Sequence, residues 1–202
     1  MHHLLIRHGE SEANAGLPTQ SPSCIPLTKQ GHRQARDLAD SFTEAPELIV
    51  VSPFLRTQQT AAPLIARFPQ VPVETWHVHE YTYLNHQKYA RTTEIERGVY
   101  AKDYWDRCDP LWDDGGGAES FAGLVTRIDA ALHKLSQYSG HHLAVFTHGY
   151  FIKALLLRQE FPGHEADAAM MAVFRDSRKN EHLPNAGIIR LLTCRSAAGP
   201  QI

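Results

Sequence analysis

The chain has 202 residues, with 20 Lys and Arg against 22 Asp and Glu, a formal charge of −2 and a 43% hydrophobic share. That balance gives no electrostatic reason for a nucleic acid or an anionic membrane surface as partner, and no apolar run approaches the ~20 residues of a membrane span. The length suits one packed domain over residues 1–202, with room for a small excursion rather than a second domain.

The first six residues lack a basic region and a long apolar core, so no secretory signal is expected. Cys24, Cys108 and Cys194 are odd in number and follow no CxxC spacing. They fit a reducing cytoplasm better than a disulfide framework or a cysteine zinc site. The first predicted strand, His3–Ile6, stops abruptly at Arg7-His8-Gly9-Glu10. Thr28 reads as the N-cap of a helix over Lys29–Phe42, whose Ala35, Leu38, Ala39 and Phe42 share one face. Leu48–Val51 is the second strand, and Ser52-Pro53 reads as N-cap and first residue of a helix running to Arg67.

Val73–Val78 is the third strand, ending near Glu80. Residues 81–117 are rich in Tyr and Trp, carry mixed charge and show no clean strand, which predicts a helical cap over one end of the sheet. A long helix follows over Glu119–Gln137, set off by Gly115-Gly116-Gly117 and Gly140. Leu143–Phe146 is the fourth strand, His148–Leu157 another helix, and Ile188–Leu192 the last strand. Residues 159–184 stay ambiguous, with Met170–Phe174 readable as strand or buried helix. Strands alternating with helices predict a three-layer α/β/α sandwich on a mostly parallel central sheet.

Polar residues fall in a pattern. Arg7-His8, Ser52 to Arg56, Glu80 and Thr147-His148-Gly149 each follow a strand, and open parallel sheets bind ligands at the strands' carboxyl ends. Those residue types suit phosphoryl transfer. Arginine offers a fixed planar fork for phosphate oxygens, a neutral imidazole is a nucleophile toward phosphorus, and a carboxyl can protonate a leaving oxygen. Two nearby guanidinium groups would favour neutral His8, and His148, if protonated, would add a cationic donor. Asn14 reads equally as a turn stabiliser. His77-x-His79 puts two imidazoles on one strand face, but without a third ligand no metal is predicted.

The ordered motifs resemble the histidine phosphatase superfamily, the phosphoglycerate-mutase-like fold. They are Arg7-His8-Gly9-Glu10 with Asn14, then Leu27-Thr28-Lys29-Gln30-Gly31 with Gln34-Ala35, then Ser52-Pro53-Phe54-Leu55-Arg56 with Gln59-Thr60-Ala61. Gly117-Ala118-Glu119-Ser120 and Thr147-His148-Gly149 complete the set. The resemblance implies His8 as the phosphorylated nucleophile, and Arg7, Arg56 and His148 as the phosphate pocket. It places Asn14 near the transferred group and Glu80 as the acid, with Glu119 the rival. It implies no cofactor.

The Glu-Arg, Tyr-Gly and Leu-x-Gly stretch of the family's glycolytic mutases is absent from 81–117, and acids outnumber bases there, which disfavours a polyanionic substrate. The expectation is therefore a phosphomonoesterase of the histidine acid phosphatase type, acting on a small phosphorylated substrate through a phosphohistidine. The alternatives are mutase-type transfer, a protein phosphohistidine phosphatase, or a phosphate-binding scaffold without catalysis. The sequence does not set the oligomeric state.

Overall fold

A computed structural model describes residues 2–138, 140–180 and 183–192. Cys194 lies outside them. Five strands form one sheet: β1 (His2–Arg7), β2 (Leu48–Val51), β3 (Val73–Thr75), β4 (Leu143–Thr147) and β5 (Ile188–Leu192), in the order β3-β2-β4-β1-β5. The pairs β2–β3, β2–β4 and β1–β4 are parallel, and only the edge strand β5 runs antiparallel. The central strands β2 and β4 are short, mostly apolar and fully buried, because both faces of the sheet are covered there.

Alternation along the strands splits the core in two. Leu4 and Ile6 of β1 pack with Ile49, Val51, Ala144 and Phe146 against α1 (Lys29–Asp40) and α2 (Leu55–Arg67). Leu5 faces the other way with Val50, Leu143 and Val145, toward α4 (Phe121–Gln137), α5 (Gly149–Glu160) and α6 (Ala168–Asn180). Each fully buried aliphatic or aromatic side chain here contributes about 1.5–3 kcal/mol over exposure. The expected three-layer α/β/α arrangement is present.

The predicted helical cap is present too, as a short 3-10 helix over His86–Tyr89 and α3 (Glu94–Arg107). Thr93 and Glu96 close a reciprocal capping box at the start of α3, and Cys108 in the left-handed region (φ 49°) ends it. The cap's aromatic residues do not form a separate core. Tyr81, Tyr83, Tyr104 and Trp105 join the main cluster with Phe121 and Phe174, and the Tyr81 and Tyr104 hydroxyls bond to each other. Deep burial pushes the Tyr81 phenol far above its ordinary range.

Several boundaries differ from expectation, and one open reading is resolved. The third strand stops at Thr75 rather than Val78, because beyond the last ladder bond, Trp76 N–H to the Val51 carbonyl, the chain turns toward the site. The second helix takes Phe54, not Ser52, as its N-cap, and has no side-chain cap bond. The Ser52 hydroxyl accepts from Phe54 N–H at 3.3 Å and also meets His148, as described below. Met170–Phe174 proves to be helix, where Met170, Met171 and Phe174 fall on one buried stripe. The helix expected from Glu119 begins at Phe121, with Ser120 as its cap.

Candidate active site

Strand register decides what meets at the carboxyl edge. Arg7 pairs with Thr147 across β1 and β4, so His8 and His148, one residue beyond, emerge side by side. Their ring centroids are 5.2 Å apart. Val51 pairs with Phe146 across β2 and β4, which puts Ser52 next to Thr147 and its hydroxyl 2.8 Å from His148 Nε2.

The tautomer of His8 follows from its partners. Its Nδ1 lies 2.7 Å from the Gly9 carbonyl, and its Nε2 lies 3.2 Å from Arg56 Nε. A carbonyl only accepts and a guanidinium only donates, so Nδ1 carries the proton and Nε2 presents its lone pair. Burial first, and then the Arg56 charge, hold the imidazole pKa well below its usual value. Desolvation, rather than the two arginines, is thus the main reason His8 is neutral.

The loop after His8 is clamped from several sides. Gly9 N–H donates to Thr60 Oγ1 at 3.0 Å, and Glu10 N–H to Gln34 Oε1 at 2.7 Å. Thr28 Oγ1 donates to the Glu10 carboxylate at 2.6 Å while accepting from Gly31 N–H at 3.1 Å. Gly31 is required by close approach, since a Cβ there would sit 2.0 Å from the Glu10 carbonyl oxygen. The far side is a turn that sequence reading missed. Ala186 N–H and Asn185 Nδ2 both donate to the His8 carbonyl, at 3.1 and 3.3 Å, and Arg7 Nη1 donates to the Leu183 carbonyl. Pro184-Asn185-Ala186-Gly187, a turn composition just before the last strand, was its available signal.

Arg56 is buried, donates to the Pro22 carbonyl at 2.7 Å, and lies over the Phe54 ring with Cζ 5.0 Å from the centroid. Burial lowers its pKa to about 10, so it stays cationic at neutral pH. Phe54 also packs against His148 and His79, at centroid distances of 5.2 and 5.3 Å. Arg7 stands on the cavity wall 9% exposed, its pKa lowered by burial.

Glu80 reaches the same cavity from the segment after β3. Its Oε1 accepts from Tyr81, Tyr150 and Phe151 N–H at 3.0, 3.0 and 3.2 Å, whereas Oε2 receives a single contact, 3.3 Å from Tyr150 N–H. The carboxyl therefore caps α5, where the helix dipole and Arg56 favour the anion. Burial outweighs both and raises its pKa above the usual carboxylate value. Glu119 is placed differently. Arg127 Nε and Nη2 bind both its carboxylate oxygens, at 2.9 and 2.6 Å, and Arg127 Nη1 also holds the His77 and His79 carbonyls at 3.0 and 2.8 Å.

Asn14 is exposed at the cavity edge, its Oδ1 accepting from Ser11 N–H, Ser11 Oγ and Asn185 Nδ2. His148 is fully buried behind His8, and burial and the Arg56 charge hold its pKa well below the usual value. In this arrangement the surroundings favour its neutral form. His77 and His79 rings are 6.3 Å apart, and among the described residues no three His, Cys, Asp or Glu side chains are arranged to hold a metal ion.

The site opens as a cavity of about 400 Å³ between sheet edge and cap, walled by Arg7, His8, Arg56 and Glu80 below and by Tyr89, Glu94 and Arg97 above. The histidine phosphatase superfamily (branch 1) model matches residues 3–170. The chain belongs to this superfamily. An uncharacterized phosphatase, PhoE, of Bacillus subtilis is 28% identical over 154 residues, 75% of this chain and 74% of that one. A phosphoglycerate mutase-like protein of Arabidopsis thaliana is 26% identical over 161 residues, 77% of this chain and 69% of that one. Among solved structures, a phosphoserine phosphatase from Entamoeba histolytica superposes with a TM-score of 0.71 at 22% identity, covering 94% of this chain and 89% of the other. A putative alpha-ribazole-5'-P phosphatase from Escherichia coli K-12 gives 0.65 at 25% identity, covering 84% and 83%.

Proposed function

We propose that the protein is a phosphomonoesterase that hydrolyses a small phosphate ester through a covalent phosphohistidine on His8. The observation that carries this reading is the tautomer of His8, with Nδ1–H held by the Gly9 carbonyl and the Nε2 lone pair on the cavity side against Arg56. In the first step Nε2 attacks phosphorus, the bond to the ester oxygen breaks, and the proton of Glu80 passes to that oxygen. In the second, Glu80 as carboxylate takes a proton from water, the water oxygen attacks phosphorus, and the N–P bond breaks to release inorganic phosphate. Arg56 turns its Nε from His8 to the phosphoryl oxygens, and Arg7 adds a second fork, so that positioned charge carries most of the catalysis.

Glu80 suits the acid–base role because its burial favours the protonated form and Oε2 is the lightly bonded oxygen. Glu119 is neutralised by Arg127 and acts as a brace for the segment that delivers Glu80. Asn14 contributes its amide nitrogen to the cavity edge, and His148 backs His8. Relatives and fold neighbours named as phosphatases support hydrolysis, and those named for phosphoserine and alpha-ribazole phosphate support a small substrate. No helix among the described residues is long and apolar enough to cross a membrane, and the free Cys24 and Cys108 favour a reducing cytoplasm.

A panel of phosphomonoesters, including 3-phosphoglycerate and a phosphohistidine peptide, tests the reading with wild type and His8→Ala. Release of inorganic phosphate by wild type alone, with an acid-labile phosphoenzyme trapped at His8, is expected. Efficient isomerisation of phosphoglycerate without phosphate release would make the protein a mutase, and hydrolysis that survives His8→Ala would overturn the mechanism.

A further inference from the structure

The turn between α6 and β5 reaches the site without supplying any group to the reaction described above. Gly187 N–H donates to the Pro184 carbonyl at 2.9 Å and closes it, with Ala186 in the left-handed region that favours glycine (φ 57°). That conformation is strained for alanine and persists only where the surroundings impose it. Bonds on both sides hold it here: Ala186 N–H to the His8 carbonyl at 3.1 Å, and Arg7 N–H to the Gly187 carbonyl at 3.0 Å. What the shape delivers is the Asn185 side chain. Its Nδ2 carries two N–H donors, and it meets the His8 carbonyl at 3.3 Å and Asn14 Oδ1 at 3.0 Å.

Asn14, 171 residues earlier in the chain, is fixed in one orientation by this contact and two others. Ser11 N–H and Ser11 Oγ also donate to its Oδ1, at 3.2 and 2.9 Å. A backbone N–H only donates, so the atom it meets is the amide oxygen. The same logic makes the Asn185 atom facing that oxygen its nitrogen. Asn14 lines the cavity whereas Asn185 does not, and Asn14 Nδ2 has no hydrogen-bond partner among the described residues. Its two donors are left for an oxygen that enters there. Ser11 holds the Asn14 amide from within its own turn. Asn185 ties it to the backbone of the nucleophile, because one NH2 group spans His8 O and Asn14 Oδ1. We propose that Asn185 is a positioning residue that aims the Asn14 amide at the phosphoryl group and fixes its place relative to His8. This rests on the phosphomonoesterase reading and adds to it a part supplied by the turn before β5.

A double-mutant cycle on the full chain tests this, read as kcat/KM on the fastest ester of the panel above and as affinity for orthovanadate, which needs no turnover. Asn185→Ala should lower both by about three- to ten-fold, the reach of one hydrogen bond, and Asn14→Ala should be at least as harmful. In the Asn14→Ala background the second substitution should cost about two-fold or less, because its target is gone. Losses that multiply across the two positions would make Asn185 a turn residue only and overturn the proposal, as would wild-type values in Asn185→Ala. If Asn185→Ala fails to fold, Asn185→Asp carries the cycle. Asp suits the same turn but as a carboxylate only accepts, and its charge acts in both backgrounds and cancels from the coupling. Ester hydrolysis without coupling sinks this inference alone. Coupled losses of orthovanadate affinity in a chain that hydrolyses no ester sink the enzymatic reading instead. A wild type that neither hydrolyses an ester nor binds orthovanadate overturns both.

Discussion

His8, Arg56 and Glu80 owe their chemistry to burial more than to one another. For the proposed reaction His8 must be neutral to attack, and its depressed pKa favours that form. The same reaction needs Glu80 to hold a proton, and its raised pKa lets it do so above the usual carboxylate range. Activity on alkyl phosphates should therefore persist into acid and fall on the alkaline side as Glu80 ionises, which a kcat/KM profile against pH measures. In Glu80→Gln that alkaline limb should vanish and the rate on alkyl esters drop by about 10²–10⁴. The loss should be smaller for p-nitrophenyl phosphate, whose leaving group needs little protonation. Glu119→Gln should instead act through stability, because it breaks a bidentate pair with Arg127 rather than a proton path.

Among elements, α1 matters less for what it buries than for what its first turn holds. Thr28 caps the helix and grips Glu10 with the same hydroxyl. Thr28→Ala should cost about 1 kcal/mol in denaturant unfolding, and should lower kcat by loosening the loop that carries His8. Gly31→Ala should be more damaging to activity, since its Cβ would meet backbone at 2.0 Å and something must move. Gly98→Ala is the contrasting case. Its Cβ would meet nothing within 4 Å inside α3, so thermal unfolding should show stability gained by roughly 0.4–1 kcal/mol.

At the scale of the molecule, the two histidines at the sheet edge make stability depend on pH. His8 and His148 are buried neutral, with pKa values well below 6.5. Unfolded, they would bind protons as pH falls through about 6.5, so the unfolded state gains and the folded state does not. Each should remove about 2 kcal/mol of stability between pH 6.5 and 5 if it stays unprotonated when folded. Glu80, with a raised pKa, works with the opposite sign, losing stability as pH rises toward its folded pKa, and offsets part of this. Calorimetry should show Tm falling from pH 7.5 to 5, with a shallower fall in His148→Asn.

Sequence by itself determined the layer architecture, since runs such as Leu48–Val51 and Leu143–Thr147 are apolar enough to be buried on both faces. It also placed Arg7, His8, Arg56, Glu80 and His148 at strand ends, because local composition marks where a strand must stop. Boundaries set by tertiary bonds were not legible. Ser52 looked like a helix cap until register carried its hydroxyl to His148. That Glu80 lines the cavity while Glu119 is paired also lay beyond local reading, as it turns on Arg127, eight residues past Glu119 and on another helix from Glu80's neighbours. The same holds for the tautomer of His8, the neutrality of His148 and the inward turn of Arg97. Each depends on partners far apart in the chain and on how much water the folded cavity excludes, and only packing fixes those.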